Sequence, residues 1–188
     1  MVEIGTEGLE IRSGRGLLDL ALEILASGYG RALKYAKAVV VDGIGDVVVA
    51  FLAGKSVAAE VYYRIKLAAP LCVHYYVAVL EGYRGRGIGK ALVGAVERLC
   101  NAEAYAATTT EDNRAARALF SSLGYRGYLW DELDPRVRDV LLKATCGYDD
   151  DMVYIKGLSP SELAASRGDA DAFNLKECYL VWLGRRAL

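Results

Sequence analysis

Apolar residues recur at helical spacing over residues 13–28, where Leu17, Leu18, Ala21, Leu22 and Leu25 fall on one side, with Ser13 placed to cap the start and Gly28 to stop the end. Three apolar runs follow at residues 47–52, 57–67 and 71–80, rich in Val, Tyr and Ile and broken near Gly54 and Pro70. Runs of that length, separated by turn residues, predict an antiparallel meander of strands. The third run is apolar on both faces, as a strand covered on both sides would be, and should sit centrally. Period-two alternation sets its Val73, Tyr75 and Val77 on one face and Cys72, His74 and Tyr76 on the other.

Beyond residue 87 the period lengthens again. Ile88, Ala91, Leu92, Ala95, Val96 and Leu99 form the packing stripe of a helix that ends near Asn101. Residues 104–110 predict a short strand, and Asp112 or Asn113 caps a helix whose Ala116, Leu119, Phe120 and Leu123 share a face before Gly124. Asp134 and Pro135 then open a helix, and residues 152–155 predict a strand. Ser159-Pro160-Ser161-Glu162 is a capping box, and residues 178–183 are a last strand candidate. Alternating strands and helices predict an α/β fold. With no internal repeat and no low-complexity linker, one domain over residues 1–188 is expected.

Composition narrows the functions. The chain has 188 residues and is 54% hydrophobic, enough to fill one core. Its 23 basic and 24 acidic residues create no global field for nucleic acid or anionic lipid, so an anion must be held by local geometry. An RNA-binding reading built on Arg84, Arg86 and the tyrosines lacks a basic stripe elsewhere. No apolar run is long enough for a bilayer, and Glu3 and Glu7 interrupt the place of a secretory signal, so a cytoplasmic protein without membrane contact is expected. Cys72, Cys100, Cys146 and Cys178 are far apart in sequence and form no metal-like cluster with His74. Reduced thiols and no metal are expected, with intracellular disulfides reserved for a hyperthermophile source.

The chemistry is concentrated in Tyr83-Arg84-Gly85-Arg86-Gly87-Ile88-Gly89-Lys90, between a strand and a helix. Glycines let backbone N–H groups converge, and the helix start adds its unpaired N–H groups and positive dipole end, which suits a diphosphate. Arg84, Arg86 and Lys90 can add charge-assisted contacts. A nucleotide-triphosphate loop needs four residues before its Gly-Lys pair and a hydroxyl after it; here Gly85 and Gly89 are separated by three, and Ala91 follows Lys90. The dinucleotide spacing G-x-G-x-x-G is not met either, and the preceding strands read as hairpins rather than crossovers.

The pattern Arg84-x-x-Gly87-x-Gly89 after Val77-Ala78-Val79 resembles the acyl-CoA loop of the GNAT superfamily of N-acetyltransferases. A second segment, from Asn113 through a helix of small residues to Leu123-Gly124-Tyr125, is similar to the motif that follows in that family. The resemblance is specific over residues 73–126, looser over 39–156 and absent after Gly157, which leaves residues 158–188 as an extension. It implies a mixed, mostly antiparallel central sheet flanked by helices, and transfer of acetyl from acetyl-CoA to an amine. It further implies that the Val77, Ala78 and Val79 backbone pairs with pantetheine, with Val79 offering an N–H to the thioester oxygen. Gly85, Arg86, Gly87, Ile88, Gly89 and Lys90 would hold the pyrophosphate, and the Asn113 side chain would contact the pantetheine arm, a role compatible with plain helix capping.

The acid and base of that reaction are not at their usual places. Phe120 stands where relatives carry a tyrosine, and Thr108 where some carry a glutamate. Tyr75 is the substitute if its face meets the substrate. His74 has the better intrinsic pKa but points to the other face, where a lone histidine is more often a hydrogen-bonded core residue. Tyr62 and Tyr63 are further hydroxyl candidates. The alternative to an enzyme is a non-catalytic acyl-CoA sensor or partner module. The acceptor is an amine of a small molecule or a protein, and the tail from Leu158 to Leu188 is open to adding a strand, covering the acceptor cleft or making a homodimer contact.

Overall fold

The computed structural model describes residues 8–29 and 33–185. Glu3, Glu7 and the end of the tail fall outside the described residues. Leu9 and Ile11 alternate with Glu10 and Arg12, and this pattern makes an edge strand, β1 (Leu9–Ser13), antiparallel to β2 (Gly45–Leu52). Ser13 therefore ends a strand and caps nothing. Gly14, at φ 134, turns the chain into a 3₁₀ turn (Arg15–Leu17) and then α1 (Leu18–Tyr29), inside which Gly28 lies. A second helix, α2 (Leu33–Val41), lies in a stretch for which no element was expected; its closing Val39-Val40-Val41 is β-branched and favours helix weakly. Packing against α1 and β2 stabilises it where intrinsic propensity does not.

β2 and β3 (Lys55–Lys66) form the expected antiparallel hairpin. Leu52 pairs with Lys55 across Ala53 and Gly54, both at positive φ (49 and 76), the geometry that matches strand twist in a two-residue turn. β4 (Pro70–Val79) is the fourth of seven strands in the order β1-β2-β3-β4-β5-β7-β6 and is central as expected. It runs parallel to β5 (Ala104–Thr109) from Leu71↔Ala104 to His74↔Ala107, after the crossover helix α3 (Ile88–Cys100). β7 (Met152–Lys156) is antiparallel to β5 and to β6 (Arg126–Leu129), a four-residue strand too short to register in the hydrophobic pattern. The sheet is mixed and mostly antiparallel, with helices flanking it, as the resemblance implied.

Two compact units make up the chain: residues up to Tyr63 with Tyr75–Leu99, and Arg64–His74 with the residues from Cys100 onward. In the first, α1 packs on α2 and β2, and α3 buries Ile88, Leu92, Val93 and Val96. Leu99, expected on that stripe, is 52% exposed, because the end of the helix turns Cys100 inward instead.

In the second unit, Cys72 on β4 and Cys100 at the end of α3 form a disulfide, with Cα atoms 6.2 Å apart. Cys146 and Cys178 form another across 5.6 Å. The expectation of reduced thiols is therefore corrected: sequence distance hid pairs that the crossover and the returning tail bring together. α4 (Arg114–Ser122) lies on β5 and β6, and α5 (Pro135–Thr145) packs on α7 (Ala170–Phe173). The capping box opens α6 (Pro160–Leu163) as expected, with Ser159 Oγ accepting from the Glu162 N–H.

Residues 178–183, expected as a strand, are helical: a π-helical stretch (Asn174–Tyr179) leads into α8 (Leu180–Trp182). The buried residues Phe173, Glu177, Cys178 and Val181 have helical spacing, which a window starting at Cys178 cuts off. Among the described residues the tail adds no strand to the sheet. It is tied to the end of β3 by Asp169 N–H donating to Lys66 O at 2.8 Å and Ala68 N–H donating to Leu163 O at 3.2 Å.

Candidate functional site

The loop after β4 takes its shape from its own backbone. Leu80 N–H donates to Val57 O at 2.9 Å, and a 3₁₀ turn (Glu81–Tyr83) follows. Gly85 and Gly87 sit at φ 74 and 77, left-handed conformations on either side of Arg86, and a Cβ built on either meets nothing within 4 Å. Left-handed residues in alternation turn neighbouring N–H groups toward a common concavity suited to an anion. The first helical bond of α3 runs from Ala91 N–H to Gly87 O at 3.0 Å, so the N–H groups of Ile88, Gly89 and Lys90 have no partner within the helix. The first turn of α3 carries no acidic side chain. Open space, helix-start N–H groups without an intrahelical partner and the positive end of a helix dipole therefore coincide at residues 85–90, an arrangement that could hold an anion.

The basic side chains divide their tasks. Arg84 donates from Nε to Val79 O at 3.0 Å and so fastens the loop to the end of β4. The Arg86 guanidinium lies over the Tyr83 ring, 5.5 Å from its centre. Arg86 and Lys90 are exposed, whereas Ile88 is buried and anchors the helix start.

At the end of β4, Val77 N–H donates to the Tyr29 hydroxyl at 3.2 Å, and the same hydroxyl donates to Val77 O at 3.0 Å. A side chain thus meets backbone groups that a neighbouring strand would otherwise take. Ala78 is buried, while Val77 and Val79 are half-buried. The Tyr75 and Tyr76 rings lie 4.7 Å apart, yet consecutive residues on a regular strand point to opposite faces. The expected alternation, with Tyr75 on one face and Tyr76 on the other, therefore breaks here. Tyr75 continues to Tyr63 at 5.1 Å and Tyr76 to Tyr29 at 4.8 Å, so four rings run in succession beside Val77.

The other candidates separate from this group. His74 is buried, with Nε2 2.7 Å from the Tyr125 hydroxyl and its ring beside Tyr105 and Phe120. That is the core role the sequence favoured for it. Tyr63 is 1% exposed. Burial, then the charges of Asp46 and Glu60, push the Tyr62 phenol above its ordinary pKa, so it keeps its proton. Asn113 belongs to the second unit, where it is exposed and caps α4 by accepting from Ala116 N–H at 3.1 Å.

Phe120 is buried among the rings of His74, Tyr125 and Tyr154. Thr108 donates from its hydroxyl to Asp150 Oδ2. Burial raises the Asp150 carboxyl above its ordinary pKa; the Thr108 bond opposes this, and Asp149 and Asp151 add to the rise. Sequence reasoning missed Asp150, whose only signal was an acidic run in a loop, and Tyr29, which had none. Among the described residues no cluster of His, Cys, Asp or Glu is arranged to hold a metal, and no helix is long and apolar enough to cross a membrane.

A family model described as Acetyltransferase (GNAT) family matches residues 15–125. No curated protein matches the chain. Among solved structures, a GNAT family acetyltransferase from Elizabethkingia anophelis with acetyl-CoA bound is similar at TM-score 0.60 and 15% identity, covering 81% of this chain and 100% of that one. Arabidopsis thaliana Naa50 in complex with a bisubstrate analogue is similar at TM-score 0.57 and 18% identity, over 80% of this chain and 99% of that one. An aminoglycoside acetyltransferase from an uncultured soil sample is similar at TM-score 0.52 and 17% identity, over 62% and 88%. At these identities the structural likeness speaks for the fold, while the family match spans more than half of the sequence. The chain belongs to the GNAT family of acetyltransferases.

Proposed function

We propose that the protein is an acetyl-CoA-dependent N-acetyltransferase that moves an acetyl group to a primary amine by direct attack on the thioester. The observation that carries this reading is the loop after β4: two left-handed glycines with open space around them, followed at once by the unpaired N–H groups of α3. When bound, acetyl-CoA supplies the activated acyl group. Gly85, Arg86, Gly87, Ile88, Gly89 and Lys90 hold its diphosphate in this reading, and Arg84 keeps the loop fastened to β4. The backbone of Val77, Ala78 and Val79 receives the pantetheine arm, and the Val79 N–H stabilises the oxyanion. Asn113, in the second unit, caps α4.

Tyr75 is the proposed proton donor to the leaving thiolate, since Phe120 has no proton to give. The acceptor stays at the level of an amine. The relatives named above include an aminoglycoside acetyltransferase and a protein crystallised with a bisubstrate analogue, and nothing in the composition of this chain selects between such classes. The cosubstrate argues for a cytoplasmic protein, and two disulfides in that compartment are a hyperthermophile pattern.

A release assay for the CoA thiol, run with acetyl-CoA against a panel of small amines, polyamines and peptides, tests the reading. Amine-dependent release is the expected result. Binding without release over the whole panel would support the sensor instead.

A further inference from the structure

Tyr29 sits at the last position of α1, and its hydroxyl bridges both hydrogen-bonding groups of Val77, accepting from N–H at 3.2 Å and donating to C=O at 3.0 Å. Few side chains can fill both roles at once, because the partner must be donor and acceptor in the same place. The hydroxyl thus behaves like an inserted piece of neighbouring strand. It is also held from behind. The Tyr29 ring packs edge-on against Tyr76 at 4.8 Å, Tyr76 against Tyr75 at 4.7 Å, and Tyr75 against Tyr63 at 5.1 Å. Tyr76 and Tyr63 are buried, so the series runs from a partly exposed ring into the core, and edge-to-face contacts of this kind fix ring orientation. All of these residues, with the loop at 84–90, belong to the first unit.

We propose that Tyr29 is a displaceable plug on the cofactor edge of β4 and, once displaced, a second oxyanion donor. This rests on the reading of Val77 to Val79 as the pantetheine edge. In the structure the phenol satisfies Val77; the pantetheine arm would take over that edge, and the phenol would exchange its acceptor from the Val77 carbonyl to the thioester oxygen. A thioester carbonyl is a weak acceptor and an oxyanion a strong one, so the exchange opposes ground-state binding and favours the transition state.

The step balances without another reagent. The amine lone pair forms the C–N bond, and the carbonyl π pair moves to oxygen, where Tyr29 O–H and Val79 N–H stabilise it. Return of that pair breaks the C–S bond. The thiolate takes a proton from Tyr75, which recovers one from the acylated nitrogen through solvent.

Replacing Tyr29 with phenylalanine keeps the ring and its packing and removes only the hydroxyl. Tyr29→Phe is expected to bind acetyl-CoA about three- to tenfold more tightly, the equivalent of one net hydrogen bond no longer needing displacement. Its turnover number is expected to fall about 100-fold, as when one oxyanion donor is removed. A merely structural role would move affinity and turnover in the same adverse direction, whereas this one moves them apart. Affinity that is unchanged or weaker, measured by calorimetry with acetyl-CoA, overturns the plug even if no accepted amine is known. Turnover within a few-fold of wild type overturns the donor role. Wild-type protein that fails to bind acetyl-CoA brings down the transferase reading itself, a result distinct from either.

Discussion

Gly87 and Asp150 show how single residues carry strain or charge that a measurement can isolate. Gly87 stands at φ 77 with no atom within 4 Å of an added Cβ, so Gly87→Ala meets no clash and pays only for a left-handed backbone. We expect a stability loss of about 1 kcal/mol in urea unfolding. The methyl group also enters the open side of the loop, so acetyl-CoA affinity should fall by roughly tenfold or more, beyond what that strain accounts for. Equal affinity in the variant would mean that the concavity holds no anion.

Asp150 tests electrostatics. Its folded pKa is raised, chiefly by burial, so its contribution to stability is fully present below the unfolded value near 3.8 and is lost as pH rises through the folded value. Asp150→Asn should therefore raise the melting temperature at pH 7 and leave it unchanged near pH 3, and a gain of equal size at both would contradict the assignment. The loop was legible in the sequence because its geometry is local, glycine by glycine. Tyr29 was not, because the bond that gives it meaning spans 48 residues.

Helices and strands are held to their places by close approaches that few side chains would allow. Gly168, at φ 47, brings a built Cβ to 1.9 Å from Lys66 O, and Gly157, at φ 99, to 2.2 Å from Glu103 O. In both cases the obstacle is backbone, which cannot swing aside. Gly168→Ala and Gly157→Ala are each expected to cost about 3 kcal/mol in chemical denaturation, from clash and strain together. A cost below 1 kcal/mol would place those contacts wrongly.

Salt bridges join the same region: Lys143 and Arg167 each bridge Asp139 and Asp171, pulling both carboxyls below their ordinary pKa, Asp171 chiefly through Arg167. Asp171 is exposed and the other three are half-buried, so water still reaches the network and screening keeps its worth modest. At this scale the sequence was most legible where period and caps agreed, as in β2, β3, β4, α3 and the Ser159 box. It was silent at α2, whose closing Val39 to Val41 favour helix weakly, and it misled at Cys178 and Val181, which suggest a strand unless Phe173 and Glu177 before them are taken as part of the same buried face. Packing on α1 and β2 decides the first, and packing with the Cys146–Cys178 bond decides the second, none of it visible locally.

Taken whole, the chain is a member of the GNAT family with a covalently fastened tail. The Cys146–Cys178 bond closes a separation of 32 residues and the Cys72–Cys100 bond one of 28. Loop closure on that scale is worth about 3–4 kcal/mol per bond. Reductant should therefore lower the urea midpoint markedly, and alkylation of the unfolded, unreduced chain should add no label; label on all four cysteines would contradict the pairing. The central claim is that the main chain of residues 84–90 grips the diphosphate of acetyl-CoA. The most direct test is calorimetric titration of acetyl-CoA into wild type and Arg86→Glu, which places a carboxylate between the two left-handed glycines. One site per chain in the wild type and no detectable binding in the variant is the expected result; equal affinity in both would contradict it.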